Sequence, residues 1–125
     1  MVTSALFLVL LLQIKHLFAD FFWQTRWMVA NKGSYGHPAG LLHATVHGAL
    51  TLIILLIYVP AAGIGLIVAL CSAEMLAHYH IDWAKDAATR RAGVSPMQKR
   101  FWDITGTDQA LHQATYLAIV AVVFA

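Results

Sequence analysis

Charge is scarce in this sequence. Only 11% of its 125 residues are Asp, Glu, Lys or Arg, against 60% hydrophobic residues, whereas a soluble domain carries about 25% charged and about 45–50% apolar residues. That balance excludes an ordinary soluble domain and gives an integral membrane class. Cysteine occurs once, as Cys71 inside a hydrophobic run; no internal disulfide can form, and a small buried core residue is expected. There is no repeat of fixed period and no low-complexity tract. The amino end is apolar but lacks a positive n-region and a small-x-small cleavage site, so no removable signal peptide is expected. The net charge of +2 is small, and the basic residues sit between apolar segments. There they bear on topology, and no nucleic-acid partner is expected.

What is present is a set of long hydrophobic stretches. They predict an all-α integral membrane protein, a four-transmembrane-helix bundle forming one domain over residues 1–125, with helices at about residues 2–30, 41–59, 64–88 and 105–125. Asn31 to Gly40, with three glycines and Pro38, is expected to be a loop. Thr105 or Thr107 is the expected N-cap of the last helix, with Asp108 in its first turn. Seven of the eight basic residues flank or occupy the first and third connections. The positive-inside rule therefore puts those connections in the cytoplasm and both termini outside, in a multi-pass protein of a bacterial inner membrane.

Each stretch also carries a polar row. They read His16-x3-Asp20-x3-Gln24, His43-x3-His47, Glu74-x3-His78-x3-Asp82, and Asp108-Gln109-x2-His112. Residues four apart share one helix face, so each row is a stripe. With the predicted topology, His16, Asp20, His43, His47, His78, Asp82, Asp108 and His112 all fall in one slab roughly 5 to 15 Å from the cytoplasmic surface. An ionisable side chain within a membrane helix costs about 2.5–3.5 kcal/mol on insertion scales, so such groups are paired, hydrated or functional. Hydrogen bonds gluing the helices together would explain one or two pairs. They do not explain a row on every helix.

The rows point instead to inward-facing ligands. His16, Asp20, His43, His47, His78, Asp82, Asp108 and His112 are the candidate metal ligands, because side chains four apart can reach one ion. A His and carboxylate set without Cys favours zinc, with iron or manganese as the other candidate divalent metals. One metal with a supporting shell and two metals both remain open at this point. Glu74 lies deepest and is the candidate catalytic carboxylate. His80 points away from His78 and is expected outside the site; His37 is expected to be solvated. Lys15 lies deep enough to need the pocket or a snorkelling path. Gln24, Gln109 and Thr115 are candidate supporting donors.

Through His16-Leu-Phe-Ala-Asp20-Phe-x2-Gln24, His43-x3-His47-Gly48, His78-x3-Asp82-x2-Lys85 and Asp108-Gln109-x2-His112, the chain resembles a bacterial and phage family of small multi-pass membrane proteins classified as a domain of unknown function. The resemblance covers nearly the whole chain and implies a compact membrane domain with the same polar positions.

The expected function is a metal-dependent hydrolase in the membrane, in contact with the lipid bilayer and acting on a lipid or lipid-linked substrate near the cytoplasmic face. Its headgroup would lie near Arg26, Lys85 or Arg100. The alternatives are a transporter or channel for metal ions or protons, a b-type haem protein ligated by two histidines, and a non-catalytic partner subunit. The outer halves of the helices offer no polar path for transport, although a homo-oligomer could build one between subunits.

Overall fold

A computed structural model describes residues 1–125. The chain is all-α, 84% helical and without strands. Five α-helices follow one another: α1 (Val2–Leu17), continued by a π-helical turn at Phe18–Phe22; α2 (Arg26–Asn31); α3 (Pro38–Tyr58); α4 (Ile64–Ala92), entered through a 3-10 turn at Pro60–Ala62; and α5 (Lys99–Val123). Three segments are long and apolar enough to cross a membrane: Val2–Phe22, Pro38–Tyr58 and Ile64–Ala92.

Three boundaries differ from the sequence expectation, each for a local reason. The helix expected over residues 2–30 is broken between Trp23 and Thr25. The Gln24 Nε2 group donates to the Asp20 carbonyl at 2.7 Å, satisfying an orphan acceptor at the helix end. Thr25, in extended conformation, then caps α2 by accepting from the Met28 N–H at 3.2 Å. Pro38 does not close a loop but opens α3, where its fixed φ and missing N–H suit the first turn. His37 supplies the cap, its Nδ1 accepting from the Ala39 N–H at 3.1 Å. The last helix starts at Lys99 and not near Thr105, so Asp108 lies well inside α5. Gly93, at φ 61°, ends α4 in the left-handed conformation that a side chain would resist.

The four long helices close into a ring: α1 packs on α3 and α5, and α4 packs on the same two. Each presents one buried stripe at helical spacing. The stripes read Leu8, Leu12, Lys15, His16; His43, His47, Thr51, Leu55; Ile67, Cys71, Glu74, His78, Asp82; and Asp108, His112, Tyr116, Ile119. Because every stripe is apolar towards one end and ionisable towards the other, the interior sorts into layers. Leu8, Leu12, Leu55, Ile67, Cys71, Tyr116, Ile119 and Val120 form one apolar cluster. Lys15, Thr51 and Glu74 lie next to it, and the histidines and aspartates fill the opposite end. The outside of α1, α3 and the first half of α4 is apolar, with Phe7, Ile14, Phe21, Ile53, Ile57 and Val68 exposed.

Two glycines set the approach of α3 to α4. A Cβ on Gly48 would collide with the Met75 side chain, and one on Gly40 would come within 3.1 Å of the Tyr79 ring. Their absence lets the two helices bring His47 and His78 ring against ring.

Candidate metal centre

All eight candidate ligands are buried at one end of the ring. His47 and His78 stack with ring centroids 3.6 Å apart, and His112 lies 4.2 Å from His78 on the same measure. His43 closes the cluster at 4.9 Å from His47 and 5.0 Å from His78. Two carboxylates, one from each side, meet these rings.

Asp20, carried inward by the π-helical turn, sets its Oδ1 2.9 Å from His43 Nε2, 3.0 Å from His47 Nε2 and 3.8 Å from His78 Nε2. Asp82 sets its Oδ2 3.3 Å from His43 Nε2 and 3.4 Å from His78 Nε2, and its Oδ1 3.5 Å from His112 Nε2. The ligand atoms fall into two groups, Asp20 with His43, His47 and His78, and His78 with Asp82 and His112; within each group all lie within 4.8 Å of one another. Asp108 belongs to neither group but stands 3.5 Å from His112 Nε2 through its Oδ1.

Only one of these approaches is a hydrogen bond, that between His47 Nε2 and Asp20 Oδ1 at 3.0 Å. The Nε2 atoms of His43, His78 and His112 are buried within 3.5 Å of carboxylate oxygens, yet none has hydrogen-bond geometry; Asp108 Oδ1 also lacks a hydrogen bond, and Asp82 Oδ2 has an ion-pair partner in Lys32. A buried polar group left unpaired costs about 1–3 kcal/mol, and such a set could hold an ion at its centre. Donors at about 2.0–2.1 Å from a tetrahedral zinc lie roughly 3.3 Å from one another. Separations of 2.9 to 3.8 Å match that edge length. Charge points the same way: Asp20, Asp82 and Asp108 face a single buried-side cation, Lys32, whose Nζ is 3.0 Å from Asp82 Oδ2. A divalent ion would balance the remaining two charges.

His16 takes a different place from the one its row suggests. Its Nδ1 is 2.8 Å from the Tyr116 hydroxyl, and its Nε2 is 3.1 Å from Gln109 Oε1 and 3.2 Å from Asp20 Oδ2. With both nitrogens engaged, it braces Asp20 from behind. Glu74 also lies outside both groups. It pairs with Lys15, which reaches the pocket and does not snorkel, and Lys15 Nζ in turn donates to Thr51 Oγ1 at 3.1 Å and stands 4.7 Å from the centre of the Tyr116 ring. Glu74 Oε2 has no partner. Gln109 joins the network as expected, donating to Asp108 Oδ2 at 3.0 Å. Thr115 does not; its hydroxyl bonds the Leu111 carbonyl at 3.0 Å. His80 is exposed, held by the Leu76 carbonyl at 2.7 Å, and stays out of the site as its helical angle predicts.

The sequence reading missed Lys32, Tyr116 and Thr51 as members of the site. Lys32 sits in a polar loop with nothing to distinguish it from a topology signal. Tyr116 and Thr51 had a usable signal, since each stands four residues from a candidate histidine on the same stripe.

The family described as "Protein of unknown function (DUF3307)" matches residues 6–125. The chain belongs to this family. The matched residues include every residue of the centre, from His16 to His112. Neither the curated proteins nor the solved structures contain a match to the chain.

Proposed function

We propose that this chain is a bundle of four membrane-spanning helices, α1, α3, α4 and α5, that holds a divalent metal, zinc favoured, among Asp20, His43, His47, His78, Asp82 and His112. The centre hydrolyses a lipid or membrane-associated substrate near the cytoplasmic face of the inner membrane, with both termini outside. One observation carries this: the buried ligand atoms of Asp20, His43, His47 and His78, and those of His78, Asp82 and His112, lie within 4.8 Å of one another in each group, and the Nε2 atoms of His43, His78 and His112 make no hydrogen bond. A bound divalent ion would supply a Lewis acid and acidify a water towards neutrality. The chain's own residues orient the rings, hold the carboxylates and exclude bulk water.

The apolar outside supports a bilayer setting, and α5 owes its weaker apolar character to the exposed Lys99, Arg100 and Asp103 of its first turns and to Asp108, Gln109, His112 and Gln113, of which Asp108 and His112 turn inward. The apolar cluster of Leu8, Leu12, Leu55, Ile67, Ile119 and Val120 seals the other end of the ring. That favours a centre reached from one side over a pathway through a single copy. Haem fits poorly, because rings stacked at 3.6 Å leave no slot for a macrocycle between them.

The test is elemental analysis of protein purified without chelator, with a zinc titration of the stripped protein. About one equivalent or more of bound metal is expected, with a rise in thermal stability on loading and release on acidification as the imidazoles take up protons. Protein that neither carries nor takes up zinc, iron or manganese overturns the proposal.

A further inference from the structure

Between α4 and α5 lies a groove of about 480 Å³, walled by Ala84, Ala88 and Ile104. Its two ends differ in charge. Lys85 and Arg100 line it towards the end where α4 finishes and α5 begins. Asp103 also lines the groove but binds Lys99 at 2.6 Å, and the nearby Asp86 pairs with Arg90. Lys85 Nζ lies 5.9 Å from the Phe101 ring centre, and no carboxylate pairs with it or with Arg100. At the other end the groove reaches Asp108, a side chain only 6% exposed whose Oδ1 has no hydrogen-bond partner and which borders His112 of the centre. The helices are antiparallel here, so by helical rise Arg100 and Asp108 are about 12 Å apart along α5.

We propose that this groove binds one anionic phospholipid, its phosphate against Lys85 and Arg100 and its acyl ester linkages directed towards Asp108 and His112. This rests on the membrane-embedded metal centre argued above and names the substrate class that reaches it. Two free cations at one end attract a net anion, and the acid at the other end repels it, so the charge pattern fixes the lipid's direction as well as its sign. In a phospholipid the ester linkages lie a few ångström deeper in the membrane than the phosphate. Lys85 stands one turn from Asp82, about 4.5 Å by helical rise, so a phosphate held at Lys85 puts the esters, and not the phosphate, level with the centre.

The experiment is native mass spectrometry of protein extracted from vesicles of equal phosphatidylglycerol and phosphatidylcholine, with metal content measured on the same samples. Wild type should retain one phosphatidylglycerol with a preference of roughly tenfold or more, the scale that two surface cations supply. The double variant Lys85→Gln with Arg100→Gln should lose the preference, and Ala88→Trp should exclude the lipid. The control Arg26→Gln with Arg91→Gln should keep it, an equal charge change at residues that do not line the groove, Arg26 being the one headgroup residue expected from the sequence that lies outside it. Equal retention of the two lipids by wild type, or an equal loss of preference in the control, overturns the proposal. Lipid selection without bound metal would leave the groove standing and remove the centre; metal without lipid selection would do the reverse.

Discussion

Lys32 Nζ stands 3.0 Å from Asp82 Oδ2, the oxygen that also faces His43 Nε2 at 3.3 Å and His78 Nε2 at 3.4 Å. A lysine from the first connection thus occupies one side of a carboxylate that the metal proposal needs on the other. The ammonium and a divalent ion repel each other across Asp82. Replacing Lys32 with Gln should therefore tighten zinc binding by about tenfold, a modest share of the Coulomb energy at that range, while lowering the thermal stability of the metal-free protein. Competition with a chromophoric chelator reads the first effect and unfolding in excess chelator reads the second. Weaker zinc binding in the variant would mean that Lys32 orients Asp82 and does not compete with the ion.

Asp82 and Glu74 occupy one helix face but different layers, and their substitutions should separate. Asp82→Ala removes two donor atoms that face His43, His78 and His112, so metal content and stability should fall together. Glu74→Gln should retain the metal, because Glu74 lies in neither ligand group. If Glu74 is the proton carrier expected from its depth, the same variant loses hydrolysis by about 100-fold or more. Metal loss in Glu74→Gln as complete as in Asp82→Ala would make Glu74 a ligand.

The pair formed by Lys15 and Glu74 is buried on both sides, with side chains 2% and 1% exposed. Removing one partner strands the other charge in an apolar layer, at a cost of about 3–5 kcal/mol. Lys15→Met should therefore unfold at markedly lower temperature or denaturant. Lys15→Met combined with Glu74→Leu should recover most of that loss, since an apolar pair leaves no buried charge. A double variant as unstable as the single one would show that Lys15 acts chiefly through Thr51 and Tyr116.

Topology is checked at Met97, 93% exposed in the connection between α4 and α5. A Met97→Cys variant should react with an impermeant thiol reagent only after the cytoplasmic side is opened, because Lys85, Arg90, Arg91, Lys99 and Arg100 surround that connection. The lone native Cys71 is buried and gives little background. Labelling in intact cells would invert the orientation and put the centre on the external side.

The rows were legible in the sequence because helical spacing turns four-residue steps into a face, and a polar face in an apolar helix has little reason to point outward. What sequence could not supply was the division of labour within the rows. His16 and His43 read alike, each four residues from another polar group; only the approach of α5 gives His16 the partners Tyr116 and Gln109. The break after Phe22 was hidden for another reason. Residues 2–30 read as one continuous helix with Gln24 on its polar row, whereas the ending depends on Gln24 folding back onto the Asp20 carbonyl and on Thr25 serving as a cap. Pro38 was misread because its position relative to the loop, and not its identity, decides whether proline ends a helix or starts one.

His78 belongs to both ligand groups, yet only one of its nitrogens, Nε2, faces the carboxylates of each. One lone pair cannot serve two ions at once. Filling the position bounded by Asp20, His43 and His47 therefore strips a donor from the position bounded by Asp82 and His112, and the reverse. If metal binds as proposed, loading would be stepwise: a first equivalent choosing between two neighbouring wells, and a second entering a well short of one ligand and close to a like charge. An ion already in place could also pass from one well to the other by a swing of a single imidazole, so that the cluster behaves as one binding site with two addresses.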